Sequence, residues 1–207
     1  MGEPSWLVWA RALNAVAQTG LHYAKDPFDA ERYEEVRAIA AEMLAAGAGA
    51  PVAEIAGLLH GEVGYATPKV AVRGAVFRDD RILLVREVID GRWSLPGGWA
   101  DVNQGPAECI EREIEEESGF TARATKLAAV WDRRRHGHAP VRIHYVYMLY
   151  FICELTGGAA RPSSETSAVD FFAEDALPEL STVRVTAAQI RRMFEHRRHP
   201  DLPTDFD

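Results

Sequence analysis

The strongest concentration of side chains able to do chemistry is a run of glutamates in GWADVNQGPAECIEREIEEESGF, residues 98–120. Pro106 suits the first position of a helix and Gly119 suits a helix end, so the residues between them are predicted to form one helix. Residues three and four positions apart fall on one side of a helix. Three carboxylates share such a side: Glu113, Glu116 and Glu117.

This cluster is predicted to bind a hard divalent cation. Like charges at these spacings cost about 0.2 to 0.5 kcal/mol per pair, so a cation is needed to compensate them. Carboxylate oxygens without histidine or cysteine favour Mg²⁺, with Mn²⁺ as the alternative ion, and the waters that magnesium retains suit a site that also takes substrate phosphates. Arg112 can orient one carboxylate through a bidentate pair. The alternative interpretation of these glutamates is a solvated acidic helix face.

The segment resembles the Nudix box, in which a glycine, a glutamate and the run Arg-Glu-hydrophobic-any-Glu-Glu-any-Gly-hydrophobic stand at fixed intervals. REIEEESGF matches that run at every position, and LPGG precedes it. The resemblance implies a role for each matching residue. These roles are metal ligation by Glu113 and Glu117, further ligation or water orientation by Glu116, a carboxylate clamp by Arg112, and a carbonyl donor to metal at Gly97.

One position departs from the box, because the upstream glutamate of the family is Gln104 here, within NQG. A neutral amide removes one charge, yet its carbonyl oxygen still coordinates or hydrogen-bonds. We therefore expect an altered metal number or affinity and not an empty site. The departure, together with the extra helical region, motivates a second hypothesis from another class: a nucleotide-sensing module that binds without turnover.

The resemblance extends over nearly the whole chain. WLVWARALNAVAQTGLHYAKDPFDAERYEEVRAIAAEML, AAVWDRRRHGH and YFICELTGGAARPSSETSAVDFFAEDALPELS are similar to a bacterial Nudix subgroup that includes CDP-choline pyrophosphatases. The subgroup implies hydrolysis of the diphosphate bond in a nucleoside diphosphate linked to another moiety, such as CDP-choline to CMP and phosphocholine. Cleavage of ADP-ribose or nucleotide sugars and trimming of RNA ends are the alternatives, and RNA is the less supported partner.

The expected reaction is in-line attack of a metal-activated water on phosphorus, so a base must receive the water's proton. In this fold the base often comes from a later loop. Glu165 in PSSETS is the candidate, because it lies between strand signals and matches the subgroup's Glu-Thr pair; an ordinary loop glutamate is the alternative. Basic residues in DRRRHGH follow a strand and either gather the diphosphate or form a solvated hairpin tip: Arg133, Arg135 and His136.

Apolar residues at three- and four-residue steps predict helices ahead of this chemistry. One runs from Trp6 to Ala17 with Gly20 as its stop, a second follows the cap residue Asp26 and ends near Gly47, and a short third runs from Val52 to Leu59. Such a region is too small to bury its own apolar faces, so it is expected to border the pocket or to pair with a second copy in a homodimer.

After Thr67 the sequence changes to β-branched runs, and VAVRGAVF, RDDR and ILLVREV predict a hairpin. Further strands are predicted from Ala122 to Trp131, Arg142 to Glu154 and Val169 to Phe172, with a turn at Gly157 and Gly158 and a helix from Thr186 to His196. Together these elements predict a Nudix α/β/α sandwich with a mixed sheet over residues 67–207, preceded by a small all-helical region, residues 1–66.

Charge and cysteine usage limit the partners and the compartment. The formal net charge of -8 disfavours an extended nucleic-acid surface. Cys109 and Cys153 are the only cysteines, too few for a disulfide framework, so a reducing cytoplasmic setting is expected. The opening residues fit neither a signal peptide nor a membrane span, and no membrane partner is expected.

Overall fold

The computed structural model describes residues 3–139 and 143–207. Within these residues the chain forms two compact units. The N-terminal unit takes in the chain up to Pro68 and a short later segment that ends at Tyr145, and the sheet unit takes in most of the remainder from Lys69 onward. None of the helices in these described ranges is long and apolar enough to cross a membrane.

The described residues of the N-terminal unit form three helices: α1 (Ser5–Tyr23), α2 (Pro27–Ala48) and α3 (Val52–His60). Asp26 caps α2, because its side chain accepts a hydrogen bond from the backbone N–H of Phe28 at 2.7 Å. The helices share a small buried core: Leu7, Ala10, Ala41, Leu44, Ala45, Ile55 and Leu59. The predicted helices are therefore present, and their apolar stripes meet one another.

Two glycines that the sequence predicts as helix ends lie inside helices instead. α1 runs through Gly20, and α2 runs through Gly47 and ends only at Gly49, which is left-handed with φ of 64°. The cause is packing: a Cβ on Gly20 would lie 2.4 Å from the Tyr33 ring, and one on Gly47 would lie 2.3 Å from the Trp6 indole. Each glycine thus allows an aromatic ring to press against a helix backbone.

In the part of the sheet unit that the structure describes, the strands form a seven-stranded sheet. Its strands are β1 (Lys69–Arg78), β2 (Arg81–Glu87), β3 (Trp93–Ser94), β4 (Phe120–Asp132), β5 (Val146–Gly158), β6 (Thr166–Phe172) and β7 (Asp205–Phe206). β1 is parallel to β5, whereas β2 is antiparallel to β1 and β4 is antiparallel to β5, so the sheet is mixed as predicted. The strand predicted to begin at Arg142 is β5, and Arg142 itself lies outside the described residues.

Two features of the sheet differ from the sequence prediction. β5 continues through Gly157 and Gly158, which were predicted as a turn, because they pair with Thr121 and Phe120 at the start of β4. β7 pairs parallel with β4 and has no sequence signal, since two residues are too few to show an alternating pattern. Both differences arise from pairing between segments distant in the chain.

Helices cover both faces of the sheet, which gives the predicted α/β/α layering. On one face α4 (Pro106–Ser118) packs Cys109, Ile110 and Ile114 against Val72 and Val76 of β1. On the other face α5 (Ala187–Arg198) packs Ile190, Met193 and Phe194 against Ala71, Ala75 and Phe77. Successive residues of β1 alternate between these two clusters, so this strand is buried on both sides and packs against both α4 and α5.

Candidate metal and catalytic site

The acidic helix α4 is held on the sheet by its apolar side. Pro106 begins it and Gly119, left-handed with φ of 75°, ends it, as the sequence predicts. Ile114 packs so closely on β1 that a Cβ on Gly74 would lie 2.7 Å from its side chain. This contact sets the height of the helix above the sheet, and thereby the position of the glutamates on its other sides.

The LPGG loop lies between β1 and α4. Backbone hydrogen bonds from Val72 to the Gly98 carbonyl at 2.9 Å and from Gly74 to the Pro96 carbonyl at 3.0 Å tie it to β1. Gly97 has φ of 136°, and a Cβ there would lie 2.2 Å from the Val72 carbonyl oxygen. Only glycine fits this position, since both the backbone angle and the space exclude a side chain.

Glu117 is the most buried carboxylate of the acidic helix, at 6% exposure. Its Oε2 accepts a hydrogen bond from the Gly97 N–H at 2.8 Å. Burial raises the pKa of Glu117 to about 8, an effect that the Arg73 charge and the Gly97 N–H oppose and that Glu87 and Glu113 reinforce. Burial, with smaller contributions from the Glu87 and Glu113 charges, therefore outweighs the Arg73 cation at Glu117.

Arg112 gathers the neighbouring carboxylates. Its guanidinium donates to Glu116 at 2.6 Å, to Glu113 at 2.9 Å and to Asp101 at 2.7 Å. Burial raises the pKa of Glu113, and Arg112 opposes that rise. Glu113 also lies close to the loop, because a Cβ on Gly98 would be 2.8 Å from its Oε2. These contacts are those of a clamp, the role that the Nudix resemblance implies for Arg112.

Gln104 lies at the same clamp. Its amide oxygen accepts hydrogen bonds from Arg112 Nε at 3.2 Å and from the Cys109 thiol at 3.3 Å. The Gln104 amide oxygen thus acts as a hydrogen-bond acceptor, and the Arg112 guanidinium is one of its donors. Cys109 is fully buried in the α4 core, as expected of a packing residue.

The donor set fits a hard divalent cation, although its members do not yet converge. Among the described residues no three acidic, histidine or cysteine side chains stand in a metal-holding geometry. Arg112 draws Glu113 and Glu116 together, while Glu117 is held separately by Gly97. Burial raises the pKa of Glu117 and of Glu113, and a neighbouring glutamate adds to each rise, so a Mg²⁺ or Mn²⁺ ion held by these oxygen donors would balance their charge.

The carbonyl of Gly97, expected to face a metal, accepts a hydrogen bond from the buried guanidinium of Arg73. A carbonyl oxygen has two lone pairs, so this hydrogen bond leaves one of them for a second partner. Metal donation by the Gly97 carbonyl stays a prediction, with the Arg73 cation beside it.

The loop that carries Glu165 is anchored to the acidic helix. The Thr166 hydroxyl donates to the Glu117 carbonyl at 2.6 Å, and the Val88 N–H donates to the Glu165 carbonyl at 2.8 Å. Glu165 itself is exposed. Its charge contributes to raising the pKa of Glu87, whose main cause is burial. Glu165 is therefore one residue from a direct contact with α4, and its side chain is exposed to solvent.

The three basic residues predicted to bind substrate share a 3-10 turn, Arg133–His136, that follows β4. Arg133 is buried and donates to the Val183 carbonyl at 3.1 Å. Arg135 is exposed and lies 3.8 Å from Asp132, and His136 stacks on Trp131 with ring centroids 4.5 Å apart. The turn is ordered by these contacts and is not a freely solvated hairpin tip.

Sequence reasoning missed two charged residues near Glu117. Arg73 lies in the middle of β1, and Glu87 ends β2, where Arg184 Nε lies 2.9 Å from its Oε1. The available signal was a charge inside an otherwise apolar strand, VAVRGAVF and ILLVRE. Such a position is costly unless the group is paired or functional.

A mixed α/β/α sandwich in which a carboxylate-rich helix packs on the sheet beside a glycine loop has the arrangement of a metal-dependent hydrolase of phosphate anhydrides. Comparison with known proteins agrees. A NUDIX domain profile matches residues 67–194, and a profile described as a UDP-X-like, N-terminal oligomerisation domain matches residues 4–59. The chain belongs to the Nudix family and is a pyrophosphohydrolase of that family.

Three similar proteins cover most of the chain. YjhB of Bacillus subtilis, provisionally named an ADP-ribose pyrophosphatase, is 45% identical over 205 residues, 99% of this chain and 98% of that protein. A crystal structure of UDP-X diphosphatase has a TM-score of 0.63 and 35% identity over 100% of both chains. An ADP-ribose pyrophosphatase from Streptococcus suis has a TM-score of 0.63 and 39% identity over 68% of this chain and 100% of that one.

These comparisons confirm the predicted Nudix membership, the α/β/α fold with its helical N-terminal region, and the enzyme class. Enzymes of this family generally use divalent metal ions. The roles of the individual site residues are still predictions.

Proposed function

We propose that the protein hydrolyses the diphosphate bond of a nucleoside diphosphate linked to a second moiety, of the ADP-ribose or UDP-linked type. The observation that carries this proposal is the full-length 45% identity to a protein named for ADP-ribose cleavage, together with the buried Glu117. The products would be a nucleoside monophosphate and the phosphorylated second moiety.

The proposed reaction uses carboxylates to hold the ion and to accept a proton. A bound Mg²⁺, or Mn²⁺, supplies Lewis-acid activation of water and neutralises phosphate charge. Glu113, Glu116 and Glu117 would hold that ion, and Arg112 keeps the first two together through its hydrogen bonds. A carboxylate oxygen of Glu165 takes the proton from the attacking water as its oxygen bonds to phosphorus.

The basic groups act on the substrate side. The bond to the bridging oxygen breaks as the water attacks, and the leaving phosphate keeps the electron pair. Arg133 and Arg135, with His136, stabilise the two anionic phosphates, since guanidinium groups match phosphate oxygens through paired hydrogen bonds. Arg133 and Arg73 both contribute to the lowered pKa of His138, after burial as its main cause, so positive charge extends from this turn towards Gly97.

The test is a substrate panel with the purified chain. ADP-ribose, UDP-glucose, CDP-choline and a short 5′-capped RNA are incubated with Mg²⁺, and products are identified by chromatography. We expect turnover of ADP-ribose or UDP-glucose to AMP or UMP. CDP-choline, suggested by subgroup resemblance, and RNA are the competing outcomes. Intact substrates throughout the panel would overturn the proposed activity.

Self-association through residues 1–66 is the second part of the proposal, with residues 67–207 as the hydrolase domain. The profile match over residues 4–59 carries an oligomerisation description. On α1, Trp9, Val16 and Tyr23 stand seven residues apart and are 61%, 58% and 64% exposed. Residues seven apart lie on one helix face, and a stripe of large exposed apolar groups marks an interaction surface.

Trp9, Val16 and Tyr23 are called the α1 stripe, and two of them, Val16 and Tyr23, line an open groove of about 800 Å³. The groove is lined by residues of α1 and the start of α2, among them Val16, Gly20, Tyr23, Asp29 and Tyr33. A second copy of the same chain, packed along this stripe, would bury apolar groups that a single copy leaves in water. The proposed assembly is a homodimer in the cytoplasm.

Val16→Glu tests the α1 stripe, with Leu58→Glu on α3 as the matched control, since Leu58 is 50% exposed. We expect the wild type and the control to sediment as dimers and Val16→Glu to weaken dimerisation by at least about tenfold. Val16→Cys gives a second measurement, which is disulfide cross-linking between the introduced thiols of two copies. Cys109 and Cys153 do not interfere, because both are buried. A Val16→Glu protein as dimeric as the wild type would contradict this interface.

A further inference from the structure

Arg73 is a buried arginine in the centre of β1, and its side chain hydrogen-bonds to the LPGG loop. It is 7% exposed. Its Nη1 donates to the Leu95 carbonyl at 3.2 Å and to the Gly97 carbonyl. Its Nε is buried and has no hydrogen-bond partner among the described residues. An arginine buried with an unmade hydrogen bond costs free energy, so packing stability alone does not account for it.

The two sides of Gly97 connect Arg73 to the acidic helix. On one side the Gly97 carbonyl accepts from Arg73, and on the other the Gly97 N–H donates to Glu117 Oε2 at 2.8 Å. The adjoining backbone is held to β1 by the Val72 and Gly74 amides. A rotation of the loop that broke the Arg73 contact would therefore also move the N–H that holds Glu117.

Arg73 also supplies charge where carboxylates are concentrated. It opposes the burial-driven rise in the pKa of Glu117, and it does the same for Glu113 and Glu87. A lysine at this position would keep the charge but could not reproduce the forked donors of a guanidinium. Substituting lysine for Arg73 therefore separates the effect of its hydrogen-bond geometry from the effect of its charge.

We infer that Arg73 is a positioning residue: by holding the Leu95 and Gly97 carbonyls it orients the Gly97 N–H and, through it, the Glu117 carboxylate that binds the divalent ion. This inference rests on the proposed function for its catalytic consequence. Its structural consequence, an effect on ion binding, does not need turnover.

The test compares Arg73→Lys with Arg78→Lys. Arg78 is on the same strand, and its guanidinium lies 4.0 Å from the centre of the Phe171 ring, so the control loses an arginine contact on β1 outside the site. The Mn²⁺ dissociation constant is measured by electron paramagnetic resonance, exchange of the Gly97 and Gly98 amides by hydrogen–deuterium mass spectrometry, and kcat and KM with the preferred substrate.

For Arg73→Lys we expect Mn²⁺ binding weaker by about 10- to 100-fold, as for other residues that orient metal ligands. Amide exchange at the loop should be faster, and kcat should fall while KM changes little. Arg78→Lys should match the wild type in all four measurements. A melting temperature recorded for each variant separates loss of fold from loss of orientation.

An unchanged Mn²⁺ dissociation constant in a folded Arg73→Lys protein would overturn the inference, because charge alone would then suffice. Arg73→Met adds an opposing expectation. Removing a cation near the site strengthens binding of a metal ion if Arg73 acts only through its charge, and weakens it if Arg73 orients Glu117. If Arg73→Met fails to fold, Arg73→Lys decides. If the wild type hydrolyses no substrate, the proposed function fails while the Mn²⁺ comparison still judges Arg73.

Discussion

At the scale of single residues, Glu117 stands apart because it combines deep burial with acidic neighbours. A carboxylate in such surroundings is expensive to ionise without a cation beside it, which is the reason its pKa rises. The same residue is the last glutamate of the REIEEESGF match. The glutamate that completes the sequence match is therefore also one whose negative charge burial disfavours in the folded protein.

Glu117→Gln is expected to lower kcat by about 10²- to 10³-fold, since a ligand charge is lost where charge develops in the transition state. The measurement is steady-state turnover at saturating Mg²⁺. Glu115→Gln is the matched control, because Glu115 is on the same helix and exposed. Equal losses in both variants would show that general helix charge, and not ion binding at Glu117, controls the rate.

Glu165→Gln is expected to reduce kcat by about 10²-fold or more by removing the proton acceptor, with Mn²⁺ affinity unchanged. The pH–rate profile should lose its acidic limb, because that limb reports ionisation of the base. Ser164→Ala, at the preceding exposed position, is the control. A Glu165→Gln profile that keeps both its shape and its height would remove Glu165 from the mechanism.

At the scale of elements, glycines in the N-terminal helices show how packing overrides local preference. Glycine destabilises a helix interior by about 1 kcal/mol relative to alanine, yet α1 and α2 each contain one. At Gly47 a Cβ would collide with the Trp6 ring, whereas at Gly57 in α3 nothing lies within 4 Å. Both glycines are helical, Gly47 in the last turn of α2 and Gly57 within α3, and their surroundings are opposite.

Gly57→Ala is therefore expected to stabilise the protein by about 0.5 to 1 kcal/mol, as in other helices. Gly47→Ala should gain the same helical preference but lose about 1 to 3 kcal/mol to overpacking, leaving a net loss. Thermal unfolding followed by circular dichroism measures both. Stabilisation by Gly47→Ala would mean that the Trp6 ring moves aside at no cost.

At the scale of the whole molecule, His138 joins three parts of the sheet unit. Its Nδ1–H donates to the Thr182 carbonyl at 3.1 Å, and its Nε2 accepts from the Gln189 amide at 3.0 Å on α5. Burial lowers the pKa of His138 to about 3, and Arg133 adds to this effect. The native protein therefore keeps this imidazole neutral at pH values where an unfolded chain protonates it.

The consequence is a contribution of His138 that weakens the protein on acidification. Below its ordinary pKa near 6.5 the unfolded chain binds a proton at His138 that the native state does not, so this contribution lowers the free energy of unfolding by up to about 1.4 kcal/mol per pH unit until the folded pKa is reached. Glu117, whose pKa is raised, acts in the opposite direction over this range, because its native carboxyl holds a proton that the unfolded chain releases. Urea unfolding at pH 7 and pH 5 therefore compares variants: His138→Gln should lose less stability on acidification, or gain more, than the wild type and His199→Gln, whose parent side chain is exposed. An equal pH dependence in all three proteins would contradict the burial of a neutral imidazole.

The sequence by itself determined the acidic helix, its bounds at Pro106 and Gly119, the mixed α/β/α fold and the Nudix family. These follow from local rules: periodicity, the helix-terminal residues and a run of residues whose spacing is constrained by one helix. The local pattern also placed Arg112 beside Glu116, because residues four apart on a helix are neighbours.

The groups that surround Glu117 are brought together by long-range packing. Arg73, Gly97 and Glu117 are remote in sequence, and their meeting depends on how the LPGG loop and α4 pack on β1. The interior glycines Gly20 and Gly47 were misread for the same reason, since a residue's neighbours across an interface leave no periodic trace in its own segment. Burial and long-range contact are properties of the assembled fold, and they set the charges and positions that the chemistry uses.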